Sequence, residues 1–449
     1  MKTTSSNLNQ LDTEPVGRVF LRYLIPSMIG MLLMAVNIVA DGIMVGNRLG
    51  AEALAGVGIA APVYTIFVAL SLWIGIGAAT KYSMAMGAKK TKEAQVVFSH
   101  AIVSIFLLTF VIGLIAFLFR EPLAYMLGAN GDTFPYVSEY LLVILLFGFC
   151  FTIENTFSIF VRNDGGPNLA MAALVIGAVA NILLNYVFLF KLNLGVAGAA
   201  FATIIASIIA IFVLAIHFFK KSSHLKLVRF AFQKKLFWLI IVIGFPSFLS
   251  EIGISVFTIS HNIAFERTVG TDGVAAFSIL NYVHSVMLMM FLGMGAAIQP
   301  LISYYHGAKN DVRKRETMRK AIFTAFAGGA FFFLIGQFAA GPIVSIFGDF
   351  PEAVSTLAVS GIKLFFIAYL FTGINFVMMT YYQSVGIIRM AVWITAAREI
   401  IVMLIFLLIL PPILGISGIW LAIPASELLV FISIYLYHRM KGKRMKEFI

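Results

Sequence analysis

Asp41 is the residue whose chemistry most needs an explanation. It lies in "VNIVADGIMVGNRLG" (36–50), inside an apolar run that begins near Val19, with no Lys or Arg among the dozen residues before it. A carboxylate in a hydrocarbon setting costs several kcal/mol unless a partner, a proton or a cation answers its charge. Asn37 sits four residues earlier, on the same helix face. A second i, i+4 pair, Asn181 and Asn185, occurs in "VANILLNYVF", and Thr203 follows in the next apolar run. Amide and hydroxyl oxygens beside one acid make a site for a proton or for a dehydrated Na⁺, which prefers hard oxygen ligands. Either ion neutralises Asp41 and switches the surrounding helices between two packings. No other metal is expected.

Further ionisable residues fall inside apolar segments, where they are functional candidates by default. Glu251 in "PSFLSEIG" and His261 form a possible second coupling or substrate site, weighed against a structural pair for Glu251 and a packed histidine for His261. Glu154, Arg162, Arg398 and Glu399 map toward the cytoplasmic side, with structural or gating roles. Successive helical residues are rotated by about 100°, so Arg398 and Glu399 are expected to face apart and not to pair. Glu427 and Lys363 are also intramembrane, without partners that the sequence can name. The one cysteine, Cys150, excludes an intrachain disulfide. "GIGAA" (75–79) and "GMGAA" (293–297) lack a following GK[ST] and fit close helix packing. HExxH and paired metal-binding histidines are absent. No cofactor is expected, and energy must come from an ion gradient.

The elements that carry these residues are membrane spans. Of 449 residues, 61% are hydrophobic and 12% charged, with mean hydropathy +0.99, which excludes a soluble domain. The first seventeen residues are polar and lack a cleavable signal, so the first span is read as an uncleaved anchor. About 20 apolar residues are needed to cross a bilayer. Twelve segments qualify: 19–46, 54–80, 94–119, 136–161, 167–190, 195–219, 236–264, 274–300, 320–340, 356–382, 389–410 and 415–438. Alternate loops hold 26 of the 32 Lys and Arg, whereas the opposite loops hold only Arg48, Arg120, Lys191 and Arg267. By the positive-inside rule both termini are cytoplasmic, in a multi-pass protein of the cell membrane. The net charge of +12 is then a topology signal and a set of anionic-lipid contacts, with no nucleic-acid partner. The loops also fix depth. Asp41 is seven residues from Arg48, Asn185 six from Lys191 and Thr203 eight from Gly195. At 1.5 Å per residue all three lie roughly 9–12 Å below the outer boundary.

Shifting the chain by 220 residues superimposes its halves. Pro26 falls on Pro246, "RLGAEALAG" (48–56) on "TVGTDGVAA" (268–276), and "GAKK" (87–90) on "GAKN" (307–310). "EPLAYMLG" falls on "GPIVSIFG", and "GVAGAA" (195–200) on "GISGIW" (415–420). The fold expected is all-α and polytopic, with 12 transmembrane helices as two six-helix bundles. They occupy 1–219 and 236–449, joined by a basic cytoplasmic linker at 220–235. Six is even, so the halves are parallel repeats about a pseudo-twofold axis along the membrane normal. Rocking of two such bundles around a site at their interface points to a transporter. The repeat equivalents of Asp41 and Glu251 are His261 and Met31, so the acids of the two halves are not symmetric.

Nearly the whole chain resembles the multidrug and toxic compound extrusion (MATE) family. The blocks that carry the resemblance are "ADGIMVGNRLGAEALAGVGIAAPV", "MGAKKTKEA", "FVRNDGGPNLAMAALVIGAVANILLNYVFLF", "LGVAGAAFAT", "GFPSFLSE" and "LGISGIWLA". The resemblance implies cation-driven export of organic, often lipophilic and cationic, compounds or drugs by a V-shaped pair of bundles. It also maps the family's ion site onto Asp41, Asn181, Asn185 and Thr203, and gives Glu251 a counterpart acid on the seventh span of many members. This chain departs at Asn185-Tyr186, where some members carry a second Asp followed by Pro, so the two-carboxylate form of the site is absent. The protein is taken as a monomer. Competing readings are a lipid-linked precursor flippase of the same superfamily, a major-facilitator transporter and a polytopic membrane enzyme. The intramembrane acids outnumber the bases, the loop at 81–93 lacks the GxxxD-type motif, and the short outer loops offer no catalytic constellation. Each observation counts against one of them.

Overall fold

The computed structural model describes residues 9–440, and all regular structure among them is helical. The long helices are α1 (Val16–Leu49), α2 (Ala51–Gly87), α3 (Thr91–Leu118), α4 (Phe134–Phe147), α5 (Phe149–Asn163), α6 (Pro167–Asn185) and α7 (Gly195–Ala215). They continue as α8 (Lys234–Thr268), α9 (Thr271–Gly307), α10 (Asp311–Phe338), α11 (Glu352–Phe365), α12 (Tyr369–Ser384), α13 (Ile388–Ala396), α14 (Val402–Leu414) and α15 (Ile416–Met440). Eleven membrane-length segments result, or twelve when α4 and α5 count as one broken span. The fourth span thus differs from the straight helix expected at 136–161: it bends by 52° at Gly148. Wide apolar surfaces on these helices, such as Phe212, Phe323 and Leu408, are exposed, as a hydrocarbon solvent permits.

The internal duplication is written into the backbone. Helices α2 and α9 are offset by 220 residues at both ends, as are α3 and α10, and the short helices Arg120–Met126 and Ala340–Ile346. Left-handed residues recur at the same offset: Gly50 and Gly270 (φ 88° and 79°), Lys89 and Lys309 (59° and 55°), Gly128 and Gly348 (106° and 131°), and Gly195 and Gly415 (62° and 60°). Such residues end one helix and aim the next. Their recurrence explains why "RLGAE" and "TVGTD" keep glycine at one position: a side chain is strained at that φ.

The chain divides into two compact units, residues 1–248 with 307–309, and residues 249–306 with 310–449. In the first, α1 packs on α6, α6 on α7, and α2 on α3, α4 and α5. The first half of α8 also belongs to it. A Cβ built on Gly244 would fall 1.7 Å from the Trp73 carbonyl oxygen, and one on Gly77 2.1 Å from that of Ile240. The backbones of α2 and α8 therefore touch there, as small residues allow. Trp73 fastens the crossing, its Nε1 donating to Ile241 O at 2.7 Å and its ring stacking on Phe248 at 4.2 Å. In the second unit α14 packs on α15, α10 on α12, and α15 also on α11 and α12.

The basic segment 220–233 is largely extended and strapped to the first unit. Its anchor is Asp164, fully buried in the turn between α5 and α6. Asp164 accepts from Tyr82 Oη (2.8 Å), His217 Nε2 (2.8 Å), Ser223 Oγ (3.2 Å) and the His224 N–H (2.8 Å). Farther along, the Val228 N–H donates to Ser99 Oγ (2.9 Å) and the Gln233 N–H to His100 Nε2 (3.1 Å). The latter fixes His100 as the Nδ1–H tautomer, donating to Val96 O at 2.9 Å. Burial alone would raise the Asp164 pKa, but the donors, His217 first among them, outweigh it and hold the carboxyl at about 2.

Two stability predictions follow from these contacts. Gly244→Ala should cost about 1–3 kcal/mol through overpacking, read as a lower melting midpoint of the purified protein, whereas Gly328→Ala, where a Cβ meets nothing, should be neutral. Equal midpoints would refute the backbone contact. Asp164→Asn should cost about 2 kcal/mol near neutral pH, because a folded pKa of about 2 lies below the unfolded value of about 3.9. The group's contribution is complete above the unfolded pKa and is lost as pH falls through about 2. The difference between the native protein and the variant should therefore shrink on acidification.

Candidate functional site

The first unit brings all five candidates of its inner site together. Asp41 is on α1, Asn181 and Asn185 are on α6, and Thr203 is on α7. Asn185 Nδ2 donates to Asp41 Oδ1 at 2.6 Å and to Asn181 Oδ1 at 3.1 Å, and Asn181 Nδ2 donates to Thr203 Oγ1 at 3.2 Å. Asn181 and Asn185 are buried at 2% and 0% exposure, whereas Asp41 and Thr203 are half-buried. The three helices that carry these residues, α1, α6 and α7, are mutual neighbours.

The Asn181 amide admits two orientations. In the first, its oxygen accepts from Asn185 and lies 2.6 Å from Asp41 Oδ1. Two acceptor oxygens repel at that distance, which favours the other orientation. Turned over, the amide nitrogen donates to Asp41 Oδ1 (2.6 Å) and to Asn37 Oδ1 (3.2 Å). Its oxygen then accepts from the Thr203 N–H and Oγ1, both at 3.2 Å. That arrangement serves an ionised Asp41.

One turn farther out, each helix contributes an apolar residue: Val45 after Asp41, Leu189 after Asn185 and Ala199 before Thr203. With Ala53 and Val196 they form a buried cluster, against which Tyr136, Tyr140 and Phe190 pack. The cluster separates the polar site from the outer ends of these helices. Tyr140 also interacts electrostatically with Asp41. The sequence reading did not include Tyr140, although Tyr136 and Tyr140 stand i, i+4 on the fourth span. A π turn, Tyr186–Lys191, starts directly after Asn185. Such turns gather at functional sites because they re-aim the side chains around them.

The remaining candidates occupy other places. Glu154 and Arg162, both on α5, interact electrostatically, and Glu154 Oε1 is buried without a hydrogen bond. His261 is buried, its Nδ1 bonded to Phe257 O at 3.0 Å and its ring packed at 4.5 Å from Phe257 and 5.5 Å from Phe277. Arg398 and Glu399 do pair, Nη2 to Oε1 at 2.8 Å, contrary to the expectation from helical rotation. The cause is a π turn at Ala397–Ile401, whose wider winding reduces the angle between neighbours. Glu427 gains partners that the sequence could not name, Asn375 Nδ2 at 2.7 Å and Arg398 Nε at 3.4 Å. Glu251 lies within electrostatic reach of Glu399. At Lys363, the backbone carbonyl accepts from Gln337 Nε2 at 2.7 Å.

Comparison with known proteins places this geometry in a family. The MatE family model matches residues 26–187 and again 246–409, so the two matches start 220 residues apart. "Multidrug export protein MepA" of Staphylococcus haemolyticus is 25% identical over 442 residues, covering 96% of this chain and 95% of that protein. Among solved structures, a MOP superfamily transporter from Pyrococcus furiosus, described as having a binding pocket of reverse polarity, aligns with a TM-score of 0.90. It shares 25% identity and 98% of each chain is covered. An outward-facing multidrug resistance MATE family transporter aligns with a TM-score of 0.89 and 26% identity, again over 98% of each chain.

A double-mutant cycle on Asp41→Ala and Asn185→Ala, read by melting of the purified protein, should show a coupling of about 1–3 kcal/mol. Additive losses would mean that the 2.6 Å contact carries no energy.

Proposed function

This chain belongs to the MatE family, and from that premise we propose that it is a proton-driven exporter of lipophilic organic cations, multidrug compounds among them. Asp41 is its coupling acid. The observation that carries the reading is the bond of Asn185 Nδ2 to Asp41 Oδ1 at 2.6 Å, with Asn181 and Thr203 completing a polar cluster around a single carboxylate that one proton neutralises. Proton arrival neutralises Asp41 and weakens its hold on the Asn185 amide. Proton loss restores that bond, through which α1 grips α6. Substrate and proton each favour the packing that the other disfavours, as reciprocal linkage requires. With one carboxylate and Asn185 in place of a second, this site exchanges one proton per cycle. The basic loops support cytoplasmic termini in the cell membrane, with proton entry from outside.

The test is transport by purified protein in liposomes, with a proton gradient and a Na⁺ gradient imposed separately. A proton gradient alone should drive efflux of a fluorescent lipophilic cation. Asp41→Asn should abolish driven efflux, at least tenfold, while leaving folding and membrane insertion intact. Driving by Na⁺ alone would overturn the choice of ion. Full driven transport by Asp41→Asn would overturn the role of the acid.

A further inference from the structure

The second unit contains a separate set of ionisable groups that the Asp41 site does not use. Arg398 and Glu399 come from the π turn between α13 and α14, and Glu427 from α15. Ser250 and Glu251 lie on α8, Asn375 on α12 and His284 on α9. Two carboxylates, Glu399 and Glu427, therefore share one guanidinium, and a third, Glu251, lies within electrostatic reach of Glu399. His284 lies within electrostatic reach of Arg398, and its Nδ1 is engaged with Tyr369 Oη at 2.9 Å. The Arg398 guanidinium is 5% exposed and sits 5.5 Å from the centre of the Phe376 ring. An apolar span holds such a surplus of negative charge only when protons or cations offset it.

The hydrogen bonds show where a proton fits. Glu399 Oε1 accepts from Arg398 Nη2 at 2.8 Å and from Ser250 Oγ at 3.1 Å. Glu427 Oε2 accepts from Asn375 Nδ2 at 2.7 Å, and its Oε1 faces Arg398 Nε at 3.4 Å. Three of the four oxygens thus already face donors, which stabilise them as acceptors. Glu399 Oε2 is buried and faces none. It lies over Gly253, where a built Cβ would fall 2.4 Å away.

We propose that Glu399 Oε2 is a second proton-binding site of this protein, with Glu427 as the standing counter-ion of Arg398. A proton taken up from water adds to Oε2, and Oε1 keeps its bonds to Arg398 and Ser250. The Arg398–Glu427 pair is then neutral, as is Glu399. Release of the proton returns it to water and leaves two carboxylates sharing one guanidinium, close to the charge of Glu251. The loaded and empty forms differ by one unit of charge inside the bundle, enough to favour different packings of α8 against the π turn. For its consequence, a second proton per export cycle, the proposal rests on the antiport reading. For the existence of the site it does not.

The experiment is an infrared difference titration of the purified protein in lipid, following the C=O band of protonated carboxyl groups. Asp41→Asn removes the other proton site from view. That variant should retain a titrating band, and adding Glu399→Gln should eliminate it. Absence of any titrating band in Asp41→Asn would overturn the proposal. So would its survival in the double variant, or its loss with Glu251→Gln instead. Gly253→Ala, which presses on Oε2 without removing the acid, guards against a Glu399→Gln protein that fails to fold. It should shift the band's midpoint in the Asp41→Asn background, and an unmoved midpoint counts against the site. In liposomes Glu399→Gln should halve the proton-to-substrate ratio. Failure of proton-driven transport in the unmodified protein would sink the antiport reading while leaving the infrared result standing.

Discussion

A carboxylate in hydrocarbon has to be answered by something that can come and go if it is to do work, and by something permanent if it is not. That constraint organises both units. At Asp41 the answer is uncharged: the Asn185 amide, with Asn181 and Thr203 linked behind it. At Glu427 the answer is permanent, a guanidinium and an amide nitrogen. Helices α1, α6 and α7 must lie side by side for the first arrangement to exist, and apolar residues one turn along each helix pack together beside it.

Much of this was legible in the sequence because membrane helices obey simple metrics. Residue counts from the loop charges singled out Asp41, Asn185 and Thr203 as a group, and the 220-residue offset recurs in the helix ends and the left-handed turns. What escaped were departures from regular winding. A residue count cannot reveal the π turn at Ala397–Ile401, so Arg398 and Glu399 were assigned to opposite faces although they form an ion pair. The bend at Gly148 escaped for the same reason, since "LLFGFC" reads as continuous apolar helix. Tyr140 was hidden differently. One tyrosine among fifteen has no distinguishing context until the fold carries it to Asp41. The strap at 220–233 depends on Asp164, whose partners lie more than fifty residues away in sequence.

The duplication adds a further constraint. Its turns are preserved in backbone conformation down to the left-handed residues, yet the polar chemistry is not. The position equivalent to Asp41 holds His261, which is packed among Phe257 and Phe277 with its Nδ1 bonded to the helix backbone. The position equivalent to Asn185 is Ile405. In the second unit, that corner of the frame holds a packed histidine and an exposed isoleucine in place of the polar cluster. Its charged cluster is built instead where a π turn widens the eleventh span, a feature with no counterpart at the equivalent place in the first unit, where α6 is regular until Asn185. Turns survive divergence because a side chain at positive φ, or a Cβ against a neighbouring backbone, strains the whole bundle. A buried polar residue survives only if its partners do. Each half could therefore lose, keep or rebuild its ion chemistry without disturbing the frame that both share.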